Sequence, residues 1–169
     1  MIQDVLVTAS TALAAVLSVV GLVTGRAGRA VAVASALLVA LALLVAWGAG
    51  SESPDRVVAV LAAVVAVAGG GLVTTQVFTF VEEPARMRSA GEILRGGAWI
   101  GALERLGVYV ALVAGWGPGL AIVLAVKGLG RYPELRSQED TGAAERFIIG
   151  TFTSVLWAVA CVGLTVLTT

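Results

Sequence analysis

Two adjacent charges, Glu104 and Arg105, interrupt an otherwise apolar run, and the only lysine of the chain, Lys127, stands in the next one. Ionised side chains inside a membrane segment cost at least about 2.5–3.5 kcal/mol each on insertion scales, so they turn toward protein or water and take partners. The chemistry open to such a set is ion pairing, binding of a charged group, or passage of an ion or proton. A Glu and a Lys alone define no reaction, and no nucleophile stands at a recognisable spacing from a base, so no catalytic residue is assigned. Histidine is absent, which removes the commonest metal ligand and general base and argues against zinc-dependent proteolysis and His-mediated phosphoryl transfer. No metal site and no cofactor are expected. The one cysteine, Cys161, lies in an apolar run and reads as a small packed hydrophobe.

The elements that must position these charges follow from hydropathy. Hydrophobic residues make up 59% of the 169 and charged residues only 13%, against about half and a quarter in soluble domains. The excess must face lipid, so the fold class is all-α, a polytopic transmembrane bundle forming a single domain. Six membrane-embedded segments are expected at residues 5–24, 30–50, 57–80, 97–116, 119–132 and 145–167, since about 20 apolar residues span a ~30 Å hydrocarbon layer. Residues 81–96, with Glu82, Glu83, Arg86, Arg88, Glu92 and Arg95, read as an interfacial segment on the cytoplasmic side. The fifth segment is short and crosses only with help from its flanks.

Gly117-Pro118-Gly119 is expected to turn the chain. Helical rise then puts Glu104 about 20 Å and Lys127 about 14 Å below the turn, a mismatch that long side chains bridge. An ion pair between them is expected, supplemented by Arg105, Arg131 or Glu145. Helical spacing groups Glu104 with Gly97, Gly101, Val108, Ala111 and Gly115 and turns it toward the bundle, while Arg105 shares a stripe with Tyr109 and Trp116 and is expected to snorkel to the interface. In the third segment Gly69, Gly70 and Gly71 precede Thr74, Thr75 and Gln76. They predict a kink or close helix approach, with a broken-helix ion site as the sharper alternative. Gly150, Thr151 and Ser154 start the last helix and suit close packing or a hydroxyl contribution to the same cavity.

Orientation follows from the arginines. Arg26 and Arg29, then Arg86, Arg88 and Arg95, then Arg131, Arg136 and Arg146 fall in alternate connections, which the positive-inside rule places in the cytoplasm, with both termini outside. The preference for Arg over Lys, with abundant Ala, Val and Gly, suggests a GC-rich bacterial genome and so the bacterial cytoplasmic (inner) membrane. Eleven basic and eleven acidic residues give no net charge, and no basic patch suggests nucleic acid.

The C-terminal half contains GGAWIGALERLGVYVALVAG, AIVLAVKGLGRYPEL and ERFIIGTFTSVLWA. Over residues 96–158 this resembles a family of uncharacterised bacterial multi-pass integral membrane proteins. Its members carry an ER-containing helix, a following AK…R-[FY] segment and a final E…IGT..S helix. The matching positions are Glu104, Arg105, Lys127, Arg131, Tyr132, Glu134, Glu145, Gly150, Thr151 and Ser154. The resemblance implies shared architecture; the acidic, aromatic-rich segment with which those relatives begin is missing here.

The expected function is therefore that of a non-enzymatic membrane protein with a charged pocket facing the cytoplasm. Its candidate residues are Glu104, Arg105, Lys127, Arg131, Tyr132, Glu134, Glu145, Thr151 and Ser154, binding a partner or a lipid headgroup. The bland reading is that these charges only anchor helices at the interface. The alternative is a small oligomeric transporter or channel whose path is lined by Glu104, Lys127 and a helix break at Gly69, Gly70, Gly71 and Gln76. A lipid-modifying membrane enzyme comes third. The expected partners are membrane lipids, a protein partner or further copies of the chain.

Overall fold

A computed structural model describes residues 2–24, 29–49, 56–81, 97–136 and 143–168, and everything in them except 114–116 and Thr168 is helical. The six helices are α1 (Ile2–Thr24), α2 (Arg29–Ala49), α3 (Arg56–Val81), α4 (Gly97–Val113), α5 (Gly117–Arg136) and α6 (Ala143–Leu167). The interfacial segment expected at 81–96 lies outside the described residues beyond Val81.

The chain is an all-helical membrane bundle. Helices α1, α2, α3 and α6 are long and apolar enough to cross a membrane, with mean hydropathy of 2.2, 2.6, 2.5 and 2.1. Helix α4 is shorter, at 17 residues, and α5 carries Lys127, Arg131, Glu134 and Arg136. Side-chain size is distributed as lipid solvent requires. The interior is built from small residues such as Ala14, Ala42, Ala62, Ala66, Ala158, Ser18 and Ser35, while Leu44, Trp47, Leu103, Leu129 and Phe152 point outward. Lipid tails are as apolar as leucine, so helices associate through close packing and interhelical hydrogen bonds rather than by hiding large hydrophobes.

Helix α3 is the hub, packed against α1, α2, α4 and α6; α5 leans on α4 and only grazes α6. Contacts along the pairs fix the directions. Ser18 of α1 faces Gly69 and Gly21 faces Leu72, so α1 and α3 run parallel. Arg105 and Tyr109 of α4 reach back to Val67 and Ala59 of α3, so those two are antiparallel.

Two expectations are corrected here. The glycine triplet does not break α3, which runs unbroken through Gly69, Gly70 and Gly71. The triplet provides the close helix approach that was the other expectation for it, because hydrogens in place of Cβ atoms leave room for Trp157, Ser18 and Arg105. The turn after α4 also comes earlier than Gly117-Pro118-Gly119. Gly115 adopts φ +66°, its N–H reaches the Leu112 carbonyl at 3.0 Å, and the Trp116 N–H reaches Ala111 at 2.8 Å. That is a Schellman end, for which a glycine in the left-handed region is the natural residue. Gly117-Pro118-Gly119 forms the first turn of α5 instead, where proline's missing N–H would be unsatisfied anyway. At its other end α5 continues past Tyr132 to Arg136, with Pro133 inside it, at the cost of one backbone hydrogen bond.

Candidate functional site

The earlier turn brings Glu104 and Lys127 level. Glu104 is nine residues before the end of α4 and Lys127 ten after the start of α5, about 14 and 15 Å of rise, so the expected mismatch vanishes. Lys127 Nζ donates to Glu104 Oε2 in a direct ion pair. The two side chains are 17% and 18% exposed, so the pair sits on the flank of the bundle, between α4 and α5.

The expectations for Glu104 and Arg105 are exchanged. Glu104 faces α5, whereas Arg105 does not snorkel: it is 8% exposed and inserted between α3, α4 and α6. Arg105 is the central residue of α4, about 12 Å of rise from either end, too deep for its side chain to leave the bundle. With Val108, Tyr109 and Ala111 it makes up the buried residues of α4. The reason lies on the facing helix. A Cβ at Gly70 would collide with Arg105 Cδ and come within 2.9 Å of its Nε and 3.0 Å of Trp157 Cδ1. Only glycine lets the arginine lie across the α3 backbone.

Arg105 Nε donates to the Val67 carbonyl at 2.9 Å, and its Nη1 reaches Ser154 Oγ of α6 at 3.4 Å. Two further donors use α3 carbonyls in the same way. Trp157 Nε1 bonds Val65 O at 3.0 Å; the Tyr109 hydroxyl bonds Ala59 O at 2.7 Å and shares a 2.6 Å contact with Thr165 Oγ1. A helical carbonyl keeps a second lone pair after accepting its own intrahelical bond, so these donors are satisfied without breaking the helix. The sequence reading gives Tyr109 as a stripe member only and singles out no role for Trp157; that each contributes a polar atom to α3 is a finding of the structure. Position along the helix would have been the signal, since a buried indole or phenol in a membrane segment has only backbone or hydroxyls to meet.

The candidate residues therefore separate. Glu104, Arg105, Lys127 and Ser154 meet around a cavity of about 10 Å³ whose walls are completed by Val108, Val123, Leu124 and Val155. That is room for about one water. Lys127 is the middle of α5, and Ser154 lies near the middle of α6, so the cluster is halfway along its helices rather than at the cytoplasmic corner expected. Thr151, one turn before Ser154, has its Oγ1 buried with no hydrogen-bond partner among the described residues. Tyr132 is 56% exposed on the outer face of α5, and Arg131 lies one turn beyond Lys127. Glu145 is exposed in the first turn of α6, where its charge complements the helix dipole. The side chain of Glu134 lies outside what the structure describes. Gln76 is six residues beyond Gly70, toward the end of α3, and does not join the cluster.

Two cations and one carboxylate face one another here, an excess of one positive charge. Among the described residues no group of His, Cys, Asp and Glu could hold a metal ion. No protein-family model, curated protein or solved structure matches the chain.

Proposed function

We propose that the chain is a non-enzymatic, multi-pass protein of a bacterial cytoplasmic membrane that binds an anionic group at Arg105, Lys127 and Ser154. The observation that carries this reading is the burial of Arg105 halfway along α4 with no carboxylate as its own partner among the described residues, since Glu104 is taken by Lys127. Intramembrane ionisable residues that face a bundle interior mark ligand or ion sites by default. The likeness of residues 96–158 to bacterial multi-pass proteins supports the multi-pass architecture in this reading and not the ligand.

In this reading all six helices are embedded and both termini are outside. Arg29 at the start of α2 lies over the Phe80 ring at the end of α3, 5.0 Å from its centre, and Arg136 and Arg146 belong to helix ends that share that side by the alternating directions. The positive-inside rule makes it cytoplasmic.

The test is thermal unfolding of the purified protein in neutral detergent, with sodium gluconate replaced by sodium chloride, sodium bromide or sodium phosphate, and with phosphatidylglycerol added to the micelles. A probe at 100 times its dissociation constant stabilises the folded state by about 2.7 kcal/mol. At least one anionic probe raises the wild-type midpoint, and Arg105→Gln loses that rise. If every probe acts equally on both proteins, the site does not bind anions.

A further inference from the structure

We infer that α5 is a hinged gate: it pivots on the turn at Gly115, is latched to α4 by the Glu104–Lys127 ion pair, and in swinging away uncovers Arg105 and Ser154. The motion rests on packing alone; only its use, to admit an anionic group, rests on the anion-binding reading above.

The closed arrangement is too tight for a ligand. The space where Glu104, Arg105, Lys127 and Ser154 meet is about 10 Å³, room for about one water, and most of its wall is apolar. Val123, Leu124 and Lys127 close it from α5, with Arg105, Val108 and Ser154 behind them on α4 and α6. A group larger than water therefore reaches Arg105 from this side only when α5 moves.

Packing marks α5 as the element free to do so. Gly119 is its one described residue that is buried, against eight in α3, and segments that open are drawn from the least packed parts of a fold. Gly119 lies at the turn end, where a Cβ would run into the Trp116 ring, so that end stays attached. Gly115, at φ +66°, and Gly117 both have nothing within 4 Å of a Cβ. Positions of that kind, at the end of an element, absorb the backbone change of a hinge. One turn beyond the anchor Val123 rests on Gly107 of α4, and one turn further Lys127 meets Glu104. At 17% and 18% exposure the paired side chains reach the flank of the bundle, where they part without crossing its interior. Past the latch, Gly128 and Gly130 have open space around them. A helix pivoting at the Gly115 end opens widest at its other end, the cytoplasmic one in the topology proposed above, so the anionic group enters from that surface.

The test is thiol accessibility in the full chain, purified in neutral detergent with Cys161 replaced by Ala. Val108→Cys places a thiol in the wall behind α5, at a position 2% exposed, and its rate of reaction with methyl methanethiosulfonate reads the open state. Glu104→Gln and Lys127→Gln each raise that rate about three- to tenfold, the weight of a partly exposed ion pair, and the double reversal Glu104→Lys with Lys127→Glu returns it to near the starting value. If Val108→Cys does not fold, Ser154→Cys carries the same test. Native Cys161, buried in the core and not lining the space, is the control when Val108 is intact, and its rate does not respond to the latch substitutions. A staple completes the test. A Cβ at Gly107 stands 3.0 Å from a Val123 methyl, so Gly107→Cys with Val123→Cys meets the Cβ separation of about 3.5–4.5 Å that a disulfide needs. Oxidised, this variant loses the response to phosphate or phosphatidylglycerol that the wild type shows, and dithiothreitol restores it.

A Val108→Cys rate that the latch substitutions leave unchanged overturns the inference. So does a rise shared equally by Cys161, which reports general loosening of the bundle. A full anion response in the oxidised staple shows that the ligand does not pass α5 and overturns the gate. No anion response in any variant removes the anion-binding reading, and a raised Val108→Cys rate then leaves the moving helix standing.

Discussion

Gly70→Ala tests whether the α3 glycines are a socket for Arg105. Away from contacts, the substitution favours a helix by about 1 kcal/mol. Here the added methyl meets the Arg105 side chain at Cδ and stands 3.0 Å from Trp157 Cδ1. Overpacking of that kind costs about 1–3 kcal/mol. Displacing the arginine also weakens its 2.9 Å bond to Val67 O, and a hydrogen bond from a charged donor is worth about 1.5–3 kcal/mol. The two costs outweigh the one gain and leave a net loss of about 1.5–5 kcal/mol. Gly128→Ala, in α5 with nothing within 4 Å of the new methyl, isolates the gain and stabilises by up to about 1 kcal/mol. The assay is reversible unfolding in mixed micelles as the fraction of sodium dodecyl sulfate rises, followed by circular dichroism. In an Arg105→Ala background only the Trp157 contact at 3.0 Å remains and the Gly70→Ala penalty shrinks, a coupling that a double-mutant cycle reads directly. Equal effects of Gly70→Ala with and without Arg105, or no loss at all, would refute the socket.

Three further outcomes rest on other contacts. Glu104→Lys and Lys127→Glu each place like charges together and lose about 2 kcal/mol in the same unfolding assay, a value reduced for partial exposure, while the double reversal regains most of it; a double variant no better than the worse single one means the pair does not hold α5 to α4. Tyr109→Phe removes the hydroxyl shared by Ala59 O and Thr165 Oγ1 and costs about 1 kcal/mol, the usual scale for interhelical hydrogen bonds in membranes, with a sub-additive effect when combined with Thr165→Val. Cys161 is fully buried, so a maleimide adds to it only after unfolding in dodecyl sulfate; rapid mass addition to the native protein would contradict that burial.

The helices were legible because membrane segments announce themselves: uninterrupted apolar runs of fixed length need no tertiary information, and the spans read at 5–24, 30–50, 57–80 and 145–167 differ from α1, α2, α3 and α6 by at most three residues at either end. The turn between α4 and α5 was misread for a local reason. Gly115, Gly117, Pro118 and Gly119 all carry turn propensity, and their composition does not say which glycine will take the left-handed conformation. The choice falls on Gly115 because Pro118 is already well suited to the first turn of the next helix. Moving that turn by a few residues levelled Glu104 with Lys127, so the pairing was legible even though its register was not.

What the chain does not disclose locally is which of two neighbouring charges goes inside. Glu104 and Arg105 are about 100° apart on one helix, so only one can face α3. A small-residue stripe on α4 favoured Glu104, but the decision was made on α3, where Gly70 leaves a backbone surface offering carbonyl oxygens and no side chain. Such a surface accepts hydrogen bonds and supplies few donors, so it suits a guanidinium and repels a carboxylate. Glu104 then has to turn outward, and α5, which is poorly attached to the rest of the bundle, is held there by the lysine that meets it. The glycines of α3 thus determine the polarity of the cluster from across the interface. Replacing Arg105 by a neutral donor would leave those carbonyls satisfied by their own helix, while the excess positive charge on which the proposed anion site depends would be gone.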